Sequence, residues 1–417
     1  MPRGRSALSQ RPQGGGRHPV RWLALGLASI VVAVVVLGAV QLLRPLPRLQ
    51  LAAARSLTFT VRGPRSATPW PAGGQSAVGV DGIGLIGRAG PDRPQAIGSL
   101  AKIMTAYLVL RDHPLPLGAS GPIVTMSAAD VTRYRADRAG GQSVVPVAVG
   151  ERLSEYQLLV GLLLPSGNNL ATTLAGWDAG SLAAFVARMN RTARRMGLSG
   201  THYADASGVS SATTSTAPDE IALAERAMGI PVFAQVVAMP QATLPVAGTV
   251  YNVNALVTHD GIVGVKTGYT AQAGGCLVFA ARRLVAGRPV LVVGAVLGQG
   301  GQRPLPAALT ASLHLLDAVT PRLQLVPAVG VGAVLGRVAV PWGTQVAAVS
   351  TRAVTVVGWS GLRVRGRLLA RRLGTTLRRG ERVGQEVLTI GARRFTLPLT
   401  ATGAVRHPGL RWRLLHG

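Results

Sequence analysis

Polar and apolar positions along this chain fall into successive textures: one long unbroken apolar run, a middle part mixing helical and alternating patterns, and a final part of short alternating runs. Residues 22–40 carry no charge, and Leu42 and Leu43 extend that run to Arg44. At about 1.5 Å per residue it crosses a hydrocarbon core of roughly 30 Å, so a transmembrane helix is predicted over 22–43. Residues 44–70, containing Pro, Arg and Ser, read as a linker. Runs at 75–80 and 84–86, separated by Asp81-Gly82, predict a β-hairpin. A helix-compatible stretch over 96–110 ends before Pro114, and 114–149 reads as irregular, with Gly140-Gly141 and several prolines.

Helical patterns follow at 153–164, stopping at Pro165, then at 170–177, at 181–196 closed by Gly197, and at 218–228 with Asp219 and Glu220 in the favoured first turn. Residues 201–214 form a loop between them. A short strand is predicted over 262–269, a hairpin over 276–283 and 289–297 across Ala286-Gly287, and a helix over 309–319. Strands, many helices, strands and one helix, in that order, argue an α+β domain whose antiparallel sheet is built from both ends of the segment. From about Gln324, short Val/Leu-rich runs between Gly and Pro turns predict a separate small all-β domain. The expected division is a basic tail over 1–21, the membrane helix over 22–43, the linker over 44–70, a main domain over 71–322 and the β-rich domain over 323–417.

Composition changes this picture in a few places. The net charge of +28 would suit nucleic acid, but the arginines are scattered, aromatic residues make up only 4 %, and no nucleic-acid motif occurs. The charge instead implies attraction to anionic surfaces. Arg3, Arg5, Arg11, Arg17 and Arg21 precede the apolar run. The positive-inside rule therefore keeps the tail in the cytoplasm and sends the rest across. Ala52-Ala53-Ala54 lies too far beyond the apolar run for a signal-peptide cleavage site, so the helix is read as a retained anchor. The single Cys276 excludes an intrachain disulfide and sits in an apolar run, as a small buried side chain does.

Of 44 basic residues only Lys102 and Lys266 are lysines. Arginine serves wherever generic positive charge is wanted, and only lysine can lose its proton and act as a base. Lys102 follows Ser99 by three residues, which puts both on one face of a helix, with Ser99 at its N-terminus. The helix dipole there disfavours an ammonium and favours a serine alkoxide, the setting of an activated nucleophile. Lys266 opens Lys-Thr-Gly on the predicted strand, and Ser166-Gly167-Asn168 lies on a helix–helix loop. Each motif is weak singly, whereas the three in order use every lysine in the chain.

This trio resembles the one shared by β-lactamases and penicillin-binding proteins. The chain resembles in particular the low-molecular-weight penicillin-binding proteins, the serine D-alanyl-D-alanine carboxypeptidases. Trp70-Pro71-Ala72, Met104-Thr105-Ala106-Tyr107, the run 162–168, Tyr203-Ala204-Asp205-Ala206-Ser207-Gly208 and the run 264–270 carry the likeness further. Gly98 and Ala101 stand where the family more often has Ala and Thr. The resemblance implies a β-lactamase/transpeptidase-like fold, an antiparallel sheet with a helical subdomain. It implies that Ser99 is acylated by the carbonyl of the penultimate D-alanine, that Lys102 takes its proton, and that Ser166 relays a proton to the leaving D-alanine. Asn168 orients substrate and Lys102, Lys266 and Thr267 with Gly268 receive the terminal carboxylate, and the N–H groups of Ser99 and Tyr269 form the oxyanion hole. No metal or organic cofactor is implied. The implied partners are peptidoglycan stem peptides and β-lactams, with the catalytic domain of a single-pass membrane protein on the extracytoplasmic side. A β-lactamase, a DD-endopeptidase and a non-catalytic penicillin sensor remain as alternatives. The Glu-x-x-Leu-Asn deacylation element of class A β-lactamases is absent.

Overall fold

The computed structural model describes residues 19–64 and 67–416. The basic tail expected over 1–21 lies, up to residue 18, outside the described residues. Helix α1 (Pro19–Leu43) takes in Arg21, carries no charge from Trp22 onward and is exposed on nearly every residue. The window Val20–Leu43 is long and apolar enough to cross a membrane.

A five-stranded antiparallel sheet organises the middle of the chain. Its order is Ile262–Thr270, Gly274–Val285, Arg288–Gln299, Gln75–Val80, Gly84–Ala89, so strands from both ends of the segment meet at its centre. Side-chain alternation gives this sheet two apolar faces. Ala77, Val278, Val293 and Ala295 face the helices, while Val78, Leu277, Phe279 and Val292 face the opposite way. The first face is covered by α2 (Ala101–Asp112), α3 (Ala128–Ala139), α4 (Glu155–Leu163), α5 (Asn168–Ala179), α6 (Leu182–Met196), α7 (Ala217–Met228) and α8 (Pro231–Val237), with α7 directly on the sheet. The second face takes α9 (Pro304–Val319). Helix α2 lies at the centre of the helical part and is buried at nine of its twelve positions.

Helix α3 departs from the irregular reading of 114–149. It is charged, with only Val131 buried, so it lacks an apolar stripe to announce it. Its signal is local: Ser127 Oγ accepts from Asp130 N at 3.2 Å and Ser127 N donates to Asp130 Oδ2 at 2.9 Å, a capping box. Helix α8 and the hairpin Gln241–Leu244/Gly248–Tyr251 also escaped the pattern, being short.

The region after α9 forms a seven-stranded sheet and a separate pair, Gln324–Val329 with Val354–Gly358. Residues 44–70 are not a free linker. Gln50–Ala53 pairs with Val334–Ala339 and Phe59–Thr60 with Arg363–Ala370, so this segment supplies both edges of the seven-stranded sheet. Buried Leu49, Leu51, Leu57 and Val61 anchor it, isolated apolar residues that a Pro- and Arg-rich background hides.

Candidate active site

Ser99 stands on a 3-10 turn, Gly98–Leu100, that runs straight into α2. The turn is pressed between two other segments. A Cβ on Gly268 would come within 2.4 Å of Ile97 O, and one on Gly208 within 1.8 Å of Gly98 O. Both positions therefore need glycine, and the two glycines bring the strand Ile262–Thr270 and the loop 203–213 against the serine. That strand is an edge of the five-stranded sheet, so its free side faces the turn.

One turn into α2, the Lys102 side chain is fully buried. Its Nζ lies 2.8 Å from Ser99 Oγ, 2.6 Å from Asn168 Oδ1 and 3.0 Å from Ser207 O. Burial, then the nearby Lys266 charge, hold its pKa well below the usual lysine range, against a smaller opposing pull from Asp205. A neutral amine has two N–H groups and one lone pair. The two fixed acceptors, Asn168 Oδ1 and Ser207 O, take the N–H groups, and the lone pair is left for the Ser99 hydroxyl. The arrangement suits removal of a proton from Ser99.

Lys266 is also buried and its Nζ donates to Thr267 O at 3.2 Å. Burial lowers its pKa to about 7. Thr267 is buried beside it, while Tyr269 is exposed at the end of the strand. Ser166 adopts a left-handed backbone conformation, φ 66°, between α4 and α5. Its Oγ is buried with no hydrogen-bond partner among the described residues. Asn168 opens α5. The fold thus draws Ser99, Lys102, Asn168, Lys266 and Gly268 onto one spot from three separate segments, with Ser166 on the turn before Asn168 and Thr267 and Tyr269 either side of Gly268.

Four further residues support this geometry, two of them, Thr105 and Asp205, within runs that carry the family likeness. Gln142 Oε1 accepts from Asn168 Nδ2 at 2.8 Å, which fixes the amide so that its oxygen faces Lys102. Asn169 pins the same segment through Val145, accepting from its N at 3.0 Å and donating to its O at 2.9 Å. Asp205 ties the turn that presents Ser207 O: its Oδ2 accepts from Ser207 Oγ at 2.7 Å, Gly208 N at 3.0 Å and Val209 N at 2.9 Å. Thr105, on α2 itself, donates to Ala206 O at 2.7 Å and locks that turn to the helix. Nothing local marks Gln142. Cys276 is buried behind the site, its thiol pushed up to about 12 by burial, as its apolar setting implied.

Comparison with known proteins gives consistent results. The D-alanyl-D-alanine carboxypeptidase family profile matches residues 81–298. A D-alanyl-D-alanine carboxypeptidase from a Streptomyces species is 34% identical over 209 residues, covering 46% of this chain and 70% of the relative. A D-alanyl-D-alanine endopeptidase from Pseudomonas aeruginosa is 32% identical over 195 residues, 45% of this chain and 60% of the relative. The crystal structure of a Streptomyces DD-transpeptidase superposes with a TM-score of 0.52 at 29% identity, covering 62% of this chain and 98% of that one. The D-alanyl-D-alanine carboxypeptidase DacD of Francisella tularensis, at 21% identity, shares the fold over 82% of this chain and 96% of its own, with a TM-score of 0.60.

Proposed function

Since the chain belongs to the D-alanyl-D-alanine carboxypeptidase family, we propose that it removes the terminal D-alanine of peptidoglycan stem peptides through an acyl-enzyme on Ser99. The observation that carries this reading is the buried Lys102 amine at 2.8 Å from Ser99 Oγ. In the first half-reaction Lys102 takes the Ser99 proton as Oγ forms a bond to the carbonyl carbon of the penultimate D-alanine. Backbone N–H groups of Ser99 and Tyr269 hold the oxyanion. The C–N bond then breaks, and the proton passes through Ser166 to the departing D-alanine nitrogen. In the second half-reaction water attacks the ester and Ser99 regains its proton.

Binding is the task of Lys266, Thr267 and Gly268, which receive the terminal carboxylate. An arriving carboxylate draws the Lys266 proton equilibrium back towards the ammonium, so charge appears when substrate is present to balance it. β-Lactams present an acylating carbonyl and a carboxylate in the same relation and acylate the same serine. Helix α1 serves as a retained anchor, with the catalytic domain outside the cytoplasm and facing the wall polymer.

The test uses a fluorescent penicillin together with a free D-alanine assay. Wild-type protein forms a covalent adduct and releases D-alanine from a pentapeptide, whereas Ser99→Ala does neither; labelling that survives the substitution would remove Ser99 from its role. Relatives bearing the endopeptidase name favour a second reading, cleavage of crosslinked stems. A crosslinked dimer supplied as substrate distinguishes the two by whether it is cut to monomers.

A further inference from the structure

Two neighbouring hairpins of the five-stranded sheet differ in length, and the difference opens a cavity. The strands Gly274–Val285 and Arg288–Gln299 are each twelve residues long, whereas Gln75–Val80 has six. Pairing with the shorter strand begins at Val292 opposite Val80, and just beyond it Asp81 N donates to Leu291 O at 2.9 Å. Residues 288–290 therefore overhang the turn 81–83. Residues of α7 and α8, and of the strands Val354–Gly358 and Arg393–Ala401, wall the space beneath the overhang. The cavity measures about 440 Å³, within the range of small-molecule sites, roughly 300–1,000 Å³. It lies away from the cleft. Arg282, in its wall, is six residues along the strand from Cys276, which pairs with Gly268. At about 3.4 Å per residue that is roughly 20 Å.

The wall has two characters. Val80, Ile83, Met228, Leu291 and Phe395 make it apolar, and Arg282, Arg288 and Arg393 bring three guanidinium groups to it. Arg288 Nη1 donates to Thr355 O at 2.8 Å and Arg393 Nη2 to Asp81 O at 3.3 Å. Each is thus tethered by one backbone carbonyl and keeps further N–H groups to donate. Arg282 enters the hydrogen bonds among the described residues through its backbone alone, N to Gly261 O at 2.9 Å and O from Arg283 Nη1 at 3.0 Å. None of the three forms an ion pair among the described residues. Asp81 is the one carboxylate in the wall, so three guanidiniums against it leave two positive charges. Nearby Glu225, raised to about 7 by burial and then by the Asp81 charge, is offset by its neighbour Arg226.

That charge selects the occupant. A carboxylate would balance half of it. A phosphomonoester carries about −1.5 to −2 at neutral pH and has enough oxygens for several guanidiniums at once. We propose that this cavity binds a small phosphomonoester with an apolar body, its phosphate taken by Arg282, Arg288 and Arg393 and its body laid against Met228, Leu291 and Phe395. The two tethered guanidiniums are ordered in advance, so binding spends little on immobilising them. The occupant touches the turn 81–83, α7, α8 and the strands of the C-terminal region together, so it clamps their junction and stabilises the chain by mass action. The site is independent of the chemistry at Ser99.

The experiment titrates the full chain, in phosphatidylcholine nanodiscs, with naphthyl phosphate and follows the heat of binding. Naphthol and inorganic phosphate serve as the two halves of the probe, and empty discs as the blank. One saturable site is expected, at least about tenfold tighter for naphthyl phosphate than for either half. Arg282→Gln breaks no side-chain hydrogen bond among the described residues and should weaken binding by about tenfold or more. Arg288→Gln and Arg393→Gln should do the same, whereas Arg191→Gln, on the exposed side of α6, should leave the affinity unchanged. Complete acylation of wild type by penicillin should also leave it unchanged, and penicillin labelling of each variant reports an intact fold. Absence of saturable binding overturns the proposal. Inorganic phosphate binding as tightly as the probe overturns it too, leaving an adventitious ion only, and naphthol doing so leaves an apolar hollow with no role for the arginines. Wild-type affinity in Arg282→Gln, Arg288→Gln and Arg393→Gln would move the probe elsewhere, and competition by penicillin would move it to the Ser99 cleft. Wild-type protein that binds the probe but takes no penicillin faults the Ser99 reading alone.

Discussion

The two lysines divide one problem, since base and anion site sit side by side in a buried place where neither charge is comfortable. Lys102 must be neutral to take a proton. Arginine at that position keeps the volume and loses the lone pair. Lys102→Arg is expected to lower acylation by between about a hundredfold and ten-thousandfold, read as the rate of penicillin adduct formation. Lys266→Arg keeps a charge for the substrate carboxylate and should retain measurable activity. Lys266→Ala should fall further, by roughly 2–5 kcal/mol or one to four decades in kcat/KM. The pH profile separates the roles. In the free protein Lys266 is charged below about 7 and neutral above, so kcat/KM should fall as pH rises through that value. The acid limb belongs to Lys102, whose pKa lies well below the ordinary lysine value, and activity rises there as the amine loses its proton. Lys266→Ala should abolish the alkaline fall and move the acid limb to higher pH, since it removes the charge that helps keep Lys102 neutral. A descending limb that survives that substitution would move it to another group.

At the scale of elements, the cleft is a meeting of α2, the strand Ile262–Thr270 and the opening of α5, held by two braces. Asp205 braces the turn that shows Ser207 O to Lys102, and Gln142 braces the Asn168 amide. Gln142→Leu leaves Asn168 free to turn its Nδ2 towards Lys102, a donor facing a donor. Acylation should drop by about tenfold, one lost hydrogen bond in a buried network, while thermal stability changes little. Gln142→Glu restores an acceptor and should recover most of the rate, and an equal loss in both variants would show that Gln142 only fills space. The motifs at Ser99, Ser166 and Lys266 were legible because their chemistry lies within three or four residues of chain. The braces were not, since Gln142 reaches its partner across 26 residues and Ser207 reaches Lys102 across 105. The same contrast runs through the elements. The central hairpin and the amphipathic α6 showed their period, whereas α3 is too charged to show one. Strand Gln50–Ala53 is too short, and its partner, Gly336–Ala339, lies about two thirds of the chain away.

For the whole molecule, a few buried ionisable groups set how stability follows pH, and Glu220 is the clearest of them. It is fully buried on α7, and burial raises its pKa to about 7, against a smaller lowering through Ser215. The unfolded carboxyl has its ordinary value near 4.5. A folded pKa above the unfolded one means that the native state binds the proton more tightly. The associated stability is complete below the unfolded value and is lost as pH rises through about 7. Lys266 works in the other direction: its folded pKa of about 7 lies below the ordinary 10.5, so the native state sheds its proton first. Its penalty is present on the acid side and is relieved as pH climbs from about 7 towards 10.5. These two groups together place a shallow minimum of stability near neutrality. Glu220→Gln removes the ionisation while keeping the shape, so its melting temperature should exceed that of wild type above pH about 7 and converge on it below about 5. The buried Tyr203, whose own pKa the Glu220 charge helps to raise, should lose part of that upward shift in the same variant. Thermal melts of both proteins across this range, with penicillin labelling to confirm an unchanged cleft, decide the matter. A constant offset at every pH would show that Glu220 titrates alike in the folded and unfolded protein and that the slope on the acid side originates elsewhere.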